Sequence, residues 1–244
     1  MAEKSVTKKI VRLIDGLIGT FLRHLVFALV RPFYSIFFNV SCSNKEKIQD
    51  LSGAIVLSSH VSRHDPPLIL CTLYSVTRIR PTAYYKEYEH WAQHPFMVLF
   101  GTIPMSSPKT WAPERREAQK QTTLKIMRKV LDNGNSILIF PAGSIRKEEK
   151  EEIPDYLTGA FDSISAYPDS PVVLIKVDGL GQYQYRKHDL FWSFLGLTKG
   201  RRHVKLDVEV VTNLSTEGGA AALNQKLEDY FNGASLAELG LETA

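Results

Sequence analysis

The sequence predicts an α/β domain, a mixed and mostly parallel sheet flanked by helices, carried on a pair of N-terminal helices at a membrane interface. Three observations lead there. Short apolar runs rich in β-branched residues alternate with longer stretches of helical character. One such stretch, 113–132, opens at Pro113-Glu114 and stops at Asp132-Asn133-Gly134, residue types suited to a helix start and stop. The whole basic excess of the chain falls in its most apolar segment, residues 1–40.

That segment holds Lys4, Lys8, Lys9, Arg12, Arg23 and Arg31 against Glu3 and Asp15, which accounts for the formal net charge of +4. The remaining residues are electrically balanced. Ile10, Leu13, Ile14, Leu17, Ile18, Phe21, Leu22 and Leu25 recur at three- and four-residue spacing and line one helix face. Pro32 is expected to break or kink the helix, which Phe33, Tyr34, Ile36, Phe37, Phe38 and Val40 continue. A membrane span needs about 20 mostly apolar residues, and the longest stretch free of charged residues here is Pro32–Asn44. Arg12 and Asp15 interrupt what would be the apolar region of a signal peptide. Basic residues interleaved with Leu, Ile, Val and Phe suit an anionic membrane surface and argue against nucleic acid as partner. The expectation is a helix pair lying in the interface at the cytoplasmic face, with packing onto the soluble domain as the alternative. Residues 1–45 are thus read as a membrane-associated appendage and 46–244 as one catalytic-size domain. Cys42 and Cys71 form no Cys-x-x-Cys pair, which suits a reducing compartment.

Strands are expected at 53–59, 81–85, 99–105, 136–140, 171–177 and 204–211. Helices are expected at about 66–76, 88–97, 113–132, 154–166 and 219–231, the first with Asp65 as N-cap and Pro66-Pro67 in its first turn. The irregular segments are 106–113, 144–154 and 180–203, and loops at strand ends are where α/β proteins place their sites. Residues 183–203, rich in Tyr, Trp, Phe, Lys and Arg, read as a membrane-facing or substrate-covering loop or as an ordinary exposed one.

The sharpest chemical signal is Ser59-His60-Val61-Ser62-Arg63-His64-Asp65, between an expected strand and an expected helix. Across a tight turn the Asp65 carboxylate can take a hydrogen bond from one ring nitrogen of His60. That fixes the tautomer and leaves the other nitrogen as a base. Such a pair can deprotonate a substrate hydroxyl with no protein nucleophile. The spacing alone is not specific. Three further segments follow in order: Gly-Thr-Ile-Pro-Met-Ser-Ser at 101–107, Phe-Pro-Ala-Gly-Ser-Ile-Arg at 140–146, and Pro-Val-Val-Leu-Ile at 171–175.

Together these resemble the four blocks of the lysophosphatidate and glycerophosphate acyltransferase family: Asn-His-x-Ser-x-x-Asp, Gly-x-x-Phe-Ile-Asp-Arg, Phe-Pro-Glu-Gly-Thr-Arg-Ser and a Pro-Val-Val-Pro type strand. His60, Ser62 and Asp65 match the first block and Gly101 the second. Phe140, Pro141, Gly143 and Ser144 match the third, and Pro171-Val172-Val173 the fourth. Lys86-Glu87 resembles a Lys-Glu pair common between the first two blocks. The resemblance implies an acyl transfer in phospholipid biosynthesis or remodelling. An acyl thioester of coenzyme A or acyl carrier protein gives its chain to a lysophospholipid hydroxyl, His60 acts as base, Asp65 orients it, and backbone N–H groups near Gly143 hold the oxyanion. It implies no metal or other cofactor, and membrane lipids as partners. Ser62, Lys86, Gly101, Phe140, Pro141, Gly143, Ser144 and Arg146 are the substrate-binding candidates.

The chain departs from the blocks in two places. Ser107 stands where the second block has its arginine, and Lys109 or Arg115 are the nearby cations that could substitute. Ala142 stands where the third block has glutamate, and Arg146 comes one place later than the usual arginine. Arg146 could reach a phosphate with its planar fork of donors or pair with Glu148, Glu149, Glu151 and Glu152. These departures bear on the acceptor, and a different lyso-lipid, such as a lyso-aminolipid, is the alternative. A silent lipid-binding protein of the same fold is a further one. His60 with His64, and His90 with His94, have a spacing that can hold a metal, but no His-Glu-x-x-His pattern exists. His64, His90 and His94 are expected at the surface or an interface. No Gly-x-Ser-x-Gly elbow, Walker loop or Gly-x-Gly-x-x-Gly occurs.

Overall fold

The computed structural model describes residues 24–25, 27–91, 93–106, 111–146, 150–180 and 202–243. Most of the expected N-terminal helix pair, the segment 183–201, Ser107 and Lys109 therefore lie outside the described residues.

Helix α1 covers 27–37 and carries Pro32 without interruption, so no helix end falls there. It stops at Phe37, and Phe38–Ser43 is strand β1. This corrects the expectation of helix through Val40. Phe38, Val40 and Cys42 alternate with Asn39 and Ser41, so one edge of the strand packs inward while the polar residues face out. Beyond a short 3-10 turn come β2 (Ile55–Ser58), α2 (Asp65–Leu73), β3 (Ile79–Tyr84), α3 (Tyr85–Tyr88), α4 (His94–Leu99) and β4 (Ile103–Met105). The chain continues with α5 (Pro113–Asp132), β5 (Ser136–Ile139), α6 (Gly159–Ala166), β6 (Val172–Asp178), β7 (Arg202–Val211) and α7 (Gly219–Phe231). The strand expected at 99–105 shrinks to three residues, because the apolar run ahead of it closes α4 instead of extending β4. The helix expected at 88–97 is split into α3 and α4.

The seven strands form one sheet in the order β1-β7-β6-β2-β5-β3-β4. Strands β2 to β6 run parallel to one another, and β7 pairs antiparallel with β6 and parallel with β1. The fold is thus the mixed, mostly parallel α/β sheet that the sequence predicts. Strands β2, β5 and β6 are near-continuous apolar runs because both of their faces are covered. Ile55, Leu57, Ile137, Ile139 and Leu174 pack on one face with Met127, Leu131, Ile164, Leu223 and Leu227 from α5, α6 and α7. Val56, Leu138, Val173 and Ile175 pack on the other with Phe27 of α1 and Leu68, Ile69 and Leu73 of α2. Chain direction matters more for the site than the core does. The C-terminal ends of β2, β3 and β5 lie side by side, so the residues that follow each strand share one crevice, the usual ligand position in an open parallel sheet.

Candidate active site

His60 follows β2, and its surroundings are set by three loops. Ser59 ties the strand end to β6, its N–H donating to Ile175 O at 3.2 Å and its hydroxyl accepting from Val177 N–H at 3.0 Å. The chain then turns sharply and starts α2 at Asp65. Asp65 is the first helical residue with His64 at the cap position, which corrects the expectation of Asp65 as N-cap. The reason is chemical. The Asp65 carboxylate folds back into the turn, where Oδ2 accepts from His60 Nδ1 at 2.9 Å, Val61 N–H at 2.5 Å and Ser62 N–H at 2.7 Å. It is 0% exposed, while the His60 side chain keeps 16% of its surface. Burial pushes the Asp65 carboxyl up from its ordinary range, and the His60 hydrogen bond and charge and the two main-chain donors pull against that rise.

The other face of His60 is set by the segment after β5. Phe140 stacks on the imidazole with centroids 4.2 Å apart and planes 28° apart. Phe140 O accepts from Gly143 N–H at 2.9 Å, closing a turn, and Arg146 N–H donates to His60 O at 2.9 Å. The imidazole is therefore fixed in plane by Phe140 and in tautomer by Asp65. Its Nε2 has no partner among the described residues, and no Ser, Thr or Cys side chain hydrogen-bonds to the ring there. A histidine held in this way accepts a proton from a group brought to Nε2 from outside.

The sequence model of the acyltransferase family matches residues 39–175. The chain belongs to the acyltransferase family. Among solved structures it is similar to the 1-acyl-sn-glycerophosphate (LPA) acyltransferase PlsC from Thermotoga maritima, at 17% identity and a TM-score of 0.57, over 86% of this chain and 80% of that one. At that identity the likeness shows the fold. No curated protein matches the chain in sequence.

Most blocks of this acyltransferase converge on the crevice, but not every residue within them touches it. His60, Asp65, Phe140 and the turn 141–146 meet. Ser62 is buried, and its hydroxyl accepts from His64 N–H at 3.2 Å. It shapes the turn that holds Asp65. Gly101 plays a backbone part. It ends α4 with φ +65°, its N–H donating to Val98 O and the Thr102 N–H to Met97 O, a left-handed helix stop. That places it before β4, at the end of the strand away from the crevice. Lys86 is exposed on α3, just past the C-terminal end of β3, at the rim. Pro141 is buried and Ser144 exposed in the turn after β5.

Gly143 has φ +63°, and a Cβ there would lie 2.1 Å from the Tyr84 hydroxyl, so a larger residue is strained here and displaces the Tyr84 side chain. Its own N–H is already used by the turn. The N–H groups of Ala142, Ser144 and Ile145 in the same turn have no partner among the described residues.

Two buried residues of the site escaped the sequence reading. Glu151 is buried beside His60, whereas the sequence offered it only as one of four acids that could pair with Arg146. His64 is buried as well, its Nδ1 3.3 Å from the Tyr34 hydroxyl and its ring against Phe38, whereas the sequence expected it at the surface or an interface. His60 and His64 thus turn to different partners and share no ligand position. Burial, helped by the Arg202 charge, lowers the His64 pKa to about 4 from 6.5. The folded protein then binds fewer protons than the unfolded chain between those two pH values. Stability is fully present above about 6.5 and falls as pH drops towards 4, by roughly 3 kcal/mol at most. Chemical denaturation at a series of pH values should show that slope in the parent and lose most of it in His64→Gln.

Proposed function

We propose that this acyltransferase moves a fatty acyl group from an acyl thioester, on coenzyme A or acyl carrier protein, to the free hydroxyl of a lysophospholipid of the lysophosphatidate type. The reaction belongs to phospholipid synthesis or remodelling and takes place at the cytoplasmic surface of a membrane. The observation that carries this reading is the His60 imidazole, held at Nδ1 by a fully buried carboxylate, with Nε2 unpartnered and no side-chain nucleophile hydrogen-bonded to it among the described residues. Nε2 takes the proton of the acceptor hydroxyl as its oxygen attacks the thioester carbonyl. The oxyanion meets the N–H groups of the 142–145 turn. The intermediate collapses with loss of the C–S bond, and the imidazolium returns its proton to the leaving thiolate. Asp65 stabilises the imidazolium while it exists.

The Arg146 guanidinium supports a phosphate-bearing acceptor. Its main chain is fixed to His60, and its Nε is buried with no hydrogen-bond partner among the described residues, which leaves a donor of the planar fork uncommitted there. The membrane reading is supported by α1 and the helical residues just ahead of it. Leu25, Leu29, Phe33 and Ile36 are exposed there at near-helical spacing, so they form one apolar stripe. Trp91 and Phe96 are exposed as well. Among the described residues no helix is long and apolar enough to cross a membrane.

Acceptor identity follows from thiol release measured in detergent with palmitoyl-coenzyme A and separately with palmitoyl-acyl carrier protein. The panel is lysophosphatidate, glycerol 3-phosphate, lysophosphatidylcholine and a lyso-aminolipid. The proposal expects the fastest acceptor-dependent release with lysophosphatidate. A faster rate with the lyso-aminolipid would favour that acceptor, consistent with Ser107 at the basic position of the second block. No acceptor-dependent release with either donor would overturn the transferase reading.

A further inference from the structure

Both main-chain polar groups of His60 are held by one segment of the chain. Its C=O accepts the Arg146 N–H at 2.9 Å, and its N–H donates to Glu151 Oε1 at 2.9 Å. Ser58 and Ser59, just before it, are held instead by the strand end and β6. Glu151 is 1% exposed, and its second oxygen, Oε2, is buried with no hydrogen-bond partner among the described residues. A carboxylate in that position is expensive to bury, so some other need keeps it there. Its backbone is anchored as firmly as its side chain is buried. Glu151 N–H donates to Asn232 Oδ1 at 2.7 Å, and Asn232 Nδ2 donates to Glu151 O at 2.9 Å. Asn232 closes the C-terminal end of α7, so a rigid helix on one face of the sheet is wired to the main chain of the base. Glu151 lies beyond the third block, whose glutamate position is Ala142 here, and a block-by-block reading passes over it.

We propose that Glu151 is a positioning residue for His60: its Oε1 fixes the main chain of the base as Asp65 fixes the ring, and Asn232 holds Glu151 for that task. This rests on the acyl-transfer reading for its kinetic consequence but not for its structural one. Burial raises the Glu151 pKa, while the His60 N–H, the His60 charge and Arg146 oppose the rise. An amide can accept the same hydrogen bond, so the assignment is to an acceptor and not to a charge.

The variants are Glu151→Met, of similar volume with only a weak thioether acceptor, Glu151→Gln, which keeps an oxygen acceptor, and Asn232→Ala, which frees the Glu151 backbone. Melting curves establish that each is folded. Glu151→Met is expected to lower kcat by about 30- to 100-fold with the donor KM near that of the parent, as loss of alignment without loss of binding does. Glu151→Gln should restore kcat to within about fivefold of the parent, and Asn232→Ala should fall between the two. Amide hydrogen exchange of the peptide carrying His60, read on the same samples, should speed up in Glu151→Met and stay slow in Glu151→Gln. An active parent with kcat unaltered in Glu151→Met would overturn the proposal, as would equal losses in the Met and Gln variants. If the parent transfers no acyl group, the functional reading falls, and exchange decides the positioning by itself: unchanged exchange at His60 in Glu151→Met overturns it.

Discussion

Asp65→Asn is expected to lower kcat by about 10²- to 10³-fold while leaving the donor KM close to that of the parent. The carboxylate oxygen Oδ2 accepts three N–H groups, from His60, Val61 and Ser62. An asparagine can place its amide oxygen there and keep the imidazole tautomer. Its NH₂ group then falls at the position of Oδ1, which is buried and has no partner among the described residues. An unmet buried donor costs about 1–3 kcal/mol of stability. The larger effect is on the reaction. A full negative charge against the imidazole favours the imidazolium formed when His60 takes the proton, and the amide supplies only a dipole. The loss therefore belongs to kcat, because the charge matters only after proton transfer begins. Steady-state kinetics over a range of donor concentrations separates the two constants, and thermal melting reads the stability loss. A variant with parental kcat would mean that Asp65 serves the turn alone.

Much of the fold was legible because its central strands are buried on both faces. Runs such as Ile55–Ser58 and Val172–Asp178 are apolar throughout and announce themselves. Helix α5 was legible to the residue because Pro113 and Asn133-Gly134 mark its ends. Strand β1 was not, since its pairing partner β7 lies at the far end of the sequence and its aromatic residues continue the helical pattern of the segment before. Edge strands depend on a neighbour for their hydrogen bonds, and local sequence carries little of that information. Strand β4 was overextended for a related reason: the apolar residues of α4 lead straight into it, and periodicity does not distinguish a short buried helix from a strand.

The site was legible where chemistry is local. His60 and Asp65 are five positions apart and meet across one turn, and Phe140 is fixed by the end of β5. What the sequence hid depends on contacts between distant segments. His64 is buried because α1 brings Tyr34 and Phe38 over it. Glu151 serves His60 because the loop after the third block returns to the end of β2. Ser62 and Gly101 match family blocks, yet one shapes a turn and the other stops a helix, so a block match identifies the fold's needs as well as the substrate's. Gly143 answers to the fold: its φ of +63° and the closeness of the Tyr84 hydroxyl strain any side chain placed there.

His60→Ala carries the largest expected loss. It removes the only group of the dyad that handles the proton, and general-base catalysis of this kind contributes about 10²- to 10⁴-fold. The oxyanion donors and substrate binding remain, so residual transfer above the uncatalysed rate is expected, and the KM for the donor should change little. The fold should survive, since the side chain is not part of the core and its main-chain partners Glu151 and Arg146 are unaffected by the substitution. The measurement that tests the base assignment most directly is acceptor-dependent thiol release by the parent and His60→Ala side by side, at matched concentration and with both proteins shown to be folded. Release by the parent and a drop of at least about 10²-fold in the variant are expected if His60 is the base. Equal rates in the two proteins would contradict that assignment.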